Sequence, residues 1–552
     1  MHKHLLRNLL WLIPLSFLLL MLGMPLLSIL REAFWDKGGW TWEPFEIVLE
    51  HGFLFKIIRL TFYQATLSAL LSIGIGVFWA SVMARYEFPF KRTFQSLTII
   101  PFVLPAVTVV LGFILMFGRQ GFLNTTLQSL FGLSDPPIQL LFSLPAIVLA
   151  HAFYNAPIVA RLTHAAWERL DPGYEESANS LGANGLRTFV SVTLPLLLPS
   201  IITGGVLAFI YAFLSFPIVL TLGGAQFTTL EVAIYTEFKQ RNIDVGSALA
   251  FTQIVMLIGF TATYLWLERR FAFRTLQRIA RPARHLFNSF SIKRILLWIT
   301  LLITGAFFAG PLLSVLWMSL QSNEGGWSLA AYAKLFSNQY EAILEGSPIS
   351  MIANSFKFGI GTVMLALMLG LPLAWSIVHQ KRNWLNTFAM LPLAISSIAL
   401  GLGLLRSVNQ PPLEWVDRDV VIILAHTLLA LPFVIRALVP GFRNFDLSLT
   451  EAANALGAST WQAFRWVELP LLKRSVLVGA AFAFAISIAE ISATLVLSKS
   501  GFMTLTVAVY RVVLQRTPGI EFLINASAMS VVLMLITGLV FWLIERSGER
   551  VI

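Results

Sequence analysis

Long apolar stretches separated by short polar loops make up most of this 552-residue chain. A helix needs about 20 mostly apolar residues to cross the hydrocarbon core of a bilayer. The first stretch, 9–30, follows a basic start, but it is too long for a signal peptide and no small-residue cleavage site follows it, so we predict that it is retained. Together with this stretch, the pattern predicts twelve spans, the others lying near residues 57–83, 94–116, 140–162, 201–222, 245–267, 295–320, 351–378, 386–405, 420–440, 475–497 and 522–544.

Composition supports a protein whose solvent is largely lipid. Apolar residues make up 57% of the chain and charged residues only 12%, about half the charged share of a soluble domain. Cysteine is absent, which excludes disulfides, thiolate metal sites and cysteine nucleophiles. The net charge is +11, but the charges lie in short clusters between apolar runs and form no single face, so nucleic acid is not an expected partner.

The positions of lysine and arginine predict the orientation of the chain. Cytoplasmic loops of membrane proteins carry an excess of these residues. The loops after the even-numbered spans are the basic ones, with Arg85, Lys91 and Arg92, then Arg169 and Arg187, Lys381 and Arg382, and Arg443, Arg465, Lys473 and Arg474. We therefore predict that these loops and both termini lie on the cytoplasmic side of a bacterial plasma membrane.

The second half of the chain repeats the first. At a shift of 275 residues, 149–162 aligns with 424–437 and 227–235 with 502–510, without a gap. Such self-similarity indicates a duplicated unit. We predict an all-α membrane protein with two parallel six-helix repeats, at 1–268 and 295–552, joined by a basic cytoplasmic linker at 269–294. Parallel repeats with an even number of spans imply a two-fold axis along the membrane normal.

The most similar duplicated segment is a loop, not a span. ESANSLGA at 176–183 aligns with EAANALGA at 451–458, and a Leu-Pro pair follows in each copy. The glycine predicts the end of a short helix, and a second helix is expected to run to Pro195 or Pro470, where proline stops or kinks it. Exposed apolar residues rimmed by charge favour a docking surface for a partner. The alternative is an amphipathic helix that touches lipid headgroups.

These residues carry a resemblance to a known family. EESANSLGANGLRTFVSVTLP and TEAANALGASTWQAFRWVELP resemble the EAA loop of binding-protein-dependent ABC importer permeases. A single chain that holds both repeats is similar to the ferric-iron and thiamine permeases of this superfamily. The resemblance implies the type I importer permease fold, two cytoplasmic ATPase subunits that receive the two loops, and an extracytoplasmic binding protein that delivers the substrate.

The resemblance also implies roles for the loop residues and a class of substrate. Glutamate would contact the ATPase, leucine would anchor the apolar face, and glycine would permit the turn, within a motif formed by Glu176, Ala178, Leu181 and Gly182 and by Glu451, Ala453, Leu456 and Gly457. The nearest families imply a small cationic substrate such as thiamine or ferric iron. Sulfate, a polyamine or a phosphonate remain alternatives.

The chain lacks the means to hydrolyse ATP by itself. No glycine is followed by lysine, so the phosphate-binding loop with its lysine is missing. We therefore predict a transport subunit that is not an enzyme, binds no cofactor and depends on an ATPase partner. An ion-coupled secondary transporter would need several intramembrane carboxylates, and a membrane enzyme would need a cluster of catalytic groups.

Glu490 is the carboxylate that the sequence places inside a span. A charge there should face the bundle interior or a water-filled cavity, so Glu490 and its counterpart Ser215 are predicted on the translocation pathway. Residues 487–498 of this chain read SIAEISATLVLS. The related permeases carry a Ser-Ile-Gly-Asp-Phe-Gly-like sequence there, so in this chain the acid is Glu490 and the flanking Gly and Phe are missing. The alternative for Glu490 is a structural hydrogen bond with a neighbouring hydroxyl.

Other duplicated residues permit a structural and a functional interpretation. His151 and His426 are expected to hydrogen-bond to backbone more often than to bind a metal or relay protons. Arg161 and Arg436 are expected to reach the cytoplasmic interface, with ATPase contact as the alternative. The outer segments 223–240 and 498–515 would either dock the binding protein or close the outer vestibule.

Overall fold

The computed structural model describes residues 10–36, 38–89, 91, 95, 104–270, 284–285, 292–337, 345–409, 414–499, 503–514 and 519–546. Within these ranges nearly every ordered element is a helix. The predicted all-α fold is therefore confirmed. Most of the predicted linker at 269–294, part of the third predicted span and Arg92 lie outside the described residues.

The described part of the first half contains twelve helices and three two-residue strands. In chain order they are α1 (Leu12–Phe34), β1 (Trp35–Asp36), β2 (Gly39–Trp40), α2 (Glu43–Leu49), α3 (Phe53–Arg85), β3 (Tyr86–Glu87), α4 (Ala106–Phe117), α5 (Phe122–Phe131), α6 (Leu144–Trp167), α7 (Pro172–Ser180), α8 (Gly185–Thr188), α9 (Leu194–Phe213), α10 (Pro217–Leu222), α11 (Leu230–Lys239) and α12 (Ile243–Arg270). β1 pairs with β2 in an antiparallel hairpin.

The second half begins after a short strand, β4 (Arg284–His285), which pairs in parallel with β3. Its helices are α13 (Ile292–Ser319), α14 (Ala330–Leu335), α15 (Pro348–His379), α16 (Asn383–Ala389), α17 (Ser397–Val408), α18 (Arg418–Arg443), α19 (Leu447–Ala455), α20 (Thr460–Ala463), α21 (Leu469–Leu471), α22 (Lys473–Ala489), α23 (Ser492–Leu497), α24 (Leu505–Val513) and α25 (Ile520–Arg546). Single 3₁₀ turns lie at Glu50–Gly52, Gly224–Gln226 and Leu391–Ala394.

The helices agree with the predicted number of spans. In the described part of the chain, ten helices are long and apolar enough to cross a membrane, and two bent helix pairs bring the number to twelve if each pair is one span. Proline is tolerated inside several of these helices, for example Pro157 in α6 and Pro432 in α18, because neighbouring helices can satisfy the backbone groups that it frees.

Packing divides the chain into two compact units. The first-half unit contains Val48–Thr236 and Val255–Gln321, and the second-half unit contains Met1–Ile47, Glu237–Ile254 and Ser322–Val551. The first helix of each sequence half therefore groups with the other half: α1 packs on α17, and α13 packs on α4. The repeat boundaries at 268 and 295, which divide the chain by sequence, stay a prediction.

A glycine permits the close approach of these exchanged helices. A Cβ atom at Gly403 of α17 would lie 2.6 Å from the Cβ and 2.8 Å from the carbonyl oxygen of Pro25 in α1. A Cβ atom at Gly112 of α4 would lie 2.6 Å from the carbonyl oxygen of Pro311 in α13. In the second-half unit, Glu32 and Arg406 add an ion pair of 3.2 Å beside this contact.

Two predicted spans are interrupted. The stretches 201–222 and 475–497 were expected as continuous helices, but α9 ends at Phe213 and α10 begins at Pro217, while α22 ends at Ala489 and α23 begins at Ser492. Pro217 explains the first break, because it has no N–H to donate to the carbonyl of Phe213, the last residue of α9. At the second break, Glu490 leaves the helix with an extended ψ of 121°.

Candidate functional site

The first predicted docking loop is built by local capping. The Asp171 side chain accepts a hydrogen bond of 2.8 Å from the N–H of Gly173 and starts α7. The helix ends at Gly182, whose φ is +86°. The N–H of Gly182 donates to the Asn179 carbonyl at 2.9 Å, and the N–H of Ala183 to the Ala178 carbonyl at 3.0 Å. These two bonds form the Schellman ending, in which glycine takes the left-handed conformation.

The second loop repeats this construction. Asp446 accepts a hydrogen bond of 3.0 Å from the N–H of Ser448, and hydrogen bonds from Ser448 hold the pKa of the Asp446 carboxyl below its usual value. The φ of Gly457 is +92°. The N–H of Gly457 donates to the Asn454 carbonyl at 3.0 Å, and the N–H of Ala458 donates to the Ala453 carbonyl at 3.0 Å, which again forms a Schellman ending. The helix–glycine element predicted for each loop thus has the same backbone geometry in both copies.

The segment after the glycine differs from the expected second helix. A single helical turn, α8 or α20, starts at a capping residue: Asn184 accepts from the N–H of Arg187 at 2.9 Å, and Ser459 and Gln462 form a reciprocal capping box. A π-helical turn follows at Phe189–Thr193 and at Phe464–Glu468. In the second copy the chain then bends by 76° between 461–471 and 473–489.

The tips of both loops expose apolar side chains. Leu181 is 89% exposed and Leu456 is 90% exposed. Glu176 and Glu451 are also exposed, while Ala178 and Ala453 are half-buried. The eight predicted loop residues therefore lie in two equivalent patches, and each patch extends to one more exposed apolar residue at matching positions, Leu186 in the first and Trp461 in the second.

Different side chains fasten the two loops to their helices. In the first loop, the Glu175 carboxylate accepts from Arg85 of α3 at 3.0 Å and from the Thr193 hydroxyl at 2.6 Å. In the second loop, the Thr450 hydroxyl donates to the Glu468 carboxylate at 3.1 Å. Positions 175 and 193 correspond to 450 and 468 at the shift of 275, so the carboxylate and the hydroxyl exchange positions.

Sequence reasoning missed this fastening. Arg85 was assigned only to the positive charge of its loop, although its guanidinium also lies 5.0 Å from the centre of the Trp167 ring. Arg85 and Glu175 are 90 residues apart, so no local pattern could have paired them. Glu468 differs from its counterpart Thr193, and the exchange with Thr450 could have been noticed in the self-alignment.

The two predicted pathway residues lie at the helix breaks. Ser215 lies between α9 and α10, and Glu490 lies between α22 and α23; both are half-buried. One carboxylate oxygen of Glu490 accepts from the N–H of Ala493 at 2.8 Å, and the other accepts from the Ser397 hydroxyl at 3.3 Å. Glu490 therefore caps the second helix of a broken span, which the prediction of a continuous helix did not include.

The duplicated histidines are buried near the middle of their helices. His151 Nδ1 lies 3.1 Å from the Ser68 hydroxyl. His426 lies between two hydroxyls, with Nδ1 2.7 Å from Ser487 and Nε2 2.8 Å from Thr494. The expected hydrogen bonds to backbone are thus replaced by bonds to side-chain hydroxyls. Among the described residues, no group of three histidine, cysteine or acidic side chains could hold a metal ion.

The helical parts of the two outer segments are buried. Residues 230–234 of α11 and 505–510 of α24 lie in the interior. The Leu230 N–H donates to the Thr61 hydroxyl at 3.0 Å, and the Leu505 N–H to the Ser355 hydroxyl at 2.9 Å. This burial favours a closing element over a docking surface for these helices, while residues 500–502 and 515 of the second segment lie outside the described part.

The duplicated helical bundle with its two exposed loops defines a polytopic membrane transport subunit. Residues 72–276 and 363–551 match the family of binding-protein-dependent transport system inner membrane components. The chain belongs to this family, and it contains the family domain twice. It is therefore the membrane-spanning permease of an ABC importer, as the resemblance implied.

Relatives that match most of this chain include two kinds of permease. The thiamine transport system permease protein ThiP of Escherichia coli (strain K12) is 28% identical over 98% of this chain and 97% of its own length. The putative ferric transport system permease protein FbpB 1 of Haemophilus influenzae is 26% identical over 92% of this chain and 80% of its own. A crystal structure of a bacterial ABC transporter that imports the acidic polysaccharide alginate covers 49% of this chain and 97% of its own, with 19% identity and a TM-score of 0.42.

Proposed function

We propose that this chain imports a small cationic solute, such as thiamine or ferric iron, by coupling to two cytoplasmic ATPase subunits. An extracytoplasmic binding protein would deliver the solute. ATP-driven closure of the ATPases would move the two loops, and the broken helices would take part in opening the pathway alternately to each side. Both termini and the two loops would lie on the cytoplasmic side.

The observation that carries this proposal is the duplicated exposed tip. A leucine side chain that is about nine-tenths exposed at the end of a capped helix, with a glutamate five residues earlier, occurs twice in the same backbone geometry. Exposed apolar groups rimmed by polar groups mark interaction sites, and a helix that fits an apolar groove is a common recognition mode. Two equal tips fit two copies of one ATPase.

The cationic substrate is supported by two observations. The relatives include permeases named for thiamine and for ferric transport. Glu490 brings a carboxylate to the break in the span formed by α22 and α23. A carboxylate within a membrane is costly unless it faces partners, a cavity or a substrate, and its negative charge would attract a cation.

Reversal of charge at both tips tests the docking role. Glu176→Lys combined with Glu451→Lys should abolish co-purification of the ATPase in detergent, while the chain still inserts into the membrane. Glu324→Lys is the matched control, because Glu324 is also exposed but lies in the turn after α13. Normal recovery of ATPase with the double variant would contradict the proposed docking.

A further inference from the structure

Glu231 is a buried carboxylate to which the proposed mechanism assigns no role. It is the second residue of α11, within the segment FTTLEVAIY, and only 1% of its surface is exposed. Glutamate is almost never this buried in a protein unless it is paired. Its counterpart at the shift of 275 is Thr506 of α24, so the charge is present in one half only.

The side of α11 that carries Glu231 packs against the first helix break. Tyr235 lies four residues after Glu231, hence on the same face of the helix. The ring of Tyr235 lies 4.9 Å from the ring of Phe216, and Phe216 belongs to the short connection between α9 and α10. Glu231 therefore lies one turn before a residue in direct contact with the break that contains Ser215.

The second half gives the matching contact at atomic detail. The Thr506 hydroxyl donates to the Ile488 carbonyl at 2.6 Å, near the end of α22 and two residues before Glu490. The position equivalent to Glu231 thus faces the break in the second half as well. At each break one position lies in the connection, 215 or 490, and one position on the packed helix faces it, 231 or 506.

Each half has one carboxylate at these two positions, and the two halves have it at opposite ones. The first half has serine in the connection and glutamate on the packed helix. The second half has glutamate in the connection and threonine on the packed helix. We propose that Glu231 is the functional counterpart of Glu490, and that each carboxylate favours passage of a cationic substrate through its half. This inference rests on the proposed function.

A structural role for Glu231 predicts a different behaviour. A carboxylate at the second position of a helix is stabilised by the helix dipole and the free N–H groups. That benefit depends on the carboxylate remaining at the start of α11. If passage of a cation requires only one carboxylate at the break, the group can instead be supplied from position 215, as it is from position 490 in the second half.

Relocation of the carboxylate distinguishes the two roles. Uptake of radiolabelled thiamine, and of ferric ion as a second probe, would be measured in vesicles that contain the full chain with its ATPase and binding-protein partners. Glu231→Gln should lower the maximal uptake rate about tenfold, equivalent to roughly 1.4 kcal/mol in the barrier. Ser215→Glu combined with Glu231→Thr, which copies the second half, should restore uptake to within about threefold of the wild type.

The control is Glu237→Gln, which removes a carboxylate that bonds to Asn242 at 2.9 Å from the same helix; it should leave uptake unchanged. Amount in the membrane, melting temperature and co-purification with the ATPase would be recorded for every variant. Wild-type uptake by Glu231→Gln overturns the inference. So does a relocated variant that is inactive or fails to insert, since the second half's arrangement should be competent.

Uptake by the wild-type chain distinguishes a failure of this inference from a failure of the proposed function on which it rests. If the wild type takes up a probe but the relocated variant does not, only the equivalence of Glu231 and Glu490 is wrong. If the wild type takes up neither cation, the proposed substrate class is wrong, and the inference falls with it. Faster uptake by Glu231→Gln than by the wild type would indicate that the carboxylate opposes the transported charge, which also overturns the inference.

Discussion

The contact between Gly403 and Pro25 makes a quantitative prediction about the exchanged first helix. Replacement of Gly403 by alanine puts a methyl group 2.6 Å from the Pro25 Cβ and 2.7 Å from its Cα. Carbon atoms in ordinary contact are about 3.5 to 4.0 Å apart, so α1 and α17 must separate by roughly 1 Å. The obstructing atoms are backbone or attached directly to it and cannot swing away.

The expected magnitude follows from two opposing terms. Overpacking of a well-packed interior costs about 1 to 3 kcal/mol. The higher helix propensity of alanine relative to glycine offsets up to about 1 kcal/mol of this cost. Gly403→Ala should therefore lower the free energy of unfolding by about 1 kcal/mol. Gly23→Ala, on α1 itself with nothing within 4 Å of the added group, should raise it by up to about 1 kcal/mol.

Denaturation by SDS in mixed micelles would compare the two variants with the wild type. The alanine variants are expected to differ by about 2 kcal/mol, with opposite signs. Gly112→Ala should behave like Gly403→Ala, because its added methyl group would meet Pro311 in the same way. If Gly403→Ala proved as stable as Gly23→Ala, the close packing of the first helix on α17 would be refuted.

Three further predictions concern the site. Glu490→Gln should impair uptake but not assembly, because an amide oxygen can still accept the Ala493 N–H bond; normal uptake would argue against a pathway role. Arg85→Ala removes the bond to Glu175, worth about 1 kcal/mol, so amide exchange in α7 should become several times faster while α19, which lacks this partner, stays unchanged. The lowered pKa of Asp446 means that its cap is complete above the usual carboxyl pKa of about 3.9 and is lost as pH falls through the lowered value; faster exchange in α19 at acid pH should disappear in Asp446→Asn, and persistence there would contradict the assignment.

The spans and the docking loops were predictable because their causes are local. Length and hydropathy alone mark α3 or α15, and a short helical run that ends in a glycine marks α7 and α19 without reference to any distant residue. Gly182 and Gly457 do adopt the left-handed conformation at the predicted helix ends. Because the ends of these short helices depend on local capping, both loops could be predicted from the sequence without knowledge of the packing.

The breaks and the exchanged helices depend on information that a hydropathy pattern does not contain. The first break lies in Leu214, Ser215 and Phe216. Two of these residues are apolar and kept the mean hydropathy of the predicted span high, although the following Pro217 indicated a break. The second break has no proline, and its cause is Glu490 capping Ala493. That α1 packs on α17 follows from the fit of Pro25 to Gly403, two residues in different halves of the sequence.

The two halves differ most informatively where a carboxylate and a hydroxyl exchange places. Compared position by position, Glu175 with Thr450 and Thr193 with Glu468 look like two unrelated substitutions, as do Ser215 with Glu490 and Glu231 with Thr506. In the loops the hydrogen bond between hydroxyl and carboxylate survives the exchange, at 2.6 Å in the first half and 3.1 Å in the second. A requirement for one carboxylate at a place in space, rather than at a position in the chain, explains the exchange in the loops, and we propose the same cause at the helix breaks. The loops show that such a requirement can be met from either of two facing positions, which is the premise of the relocation experiment at the helix breaks.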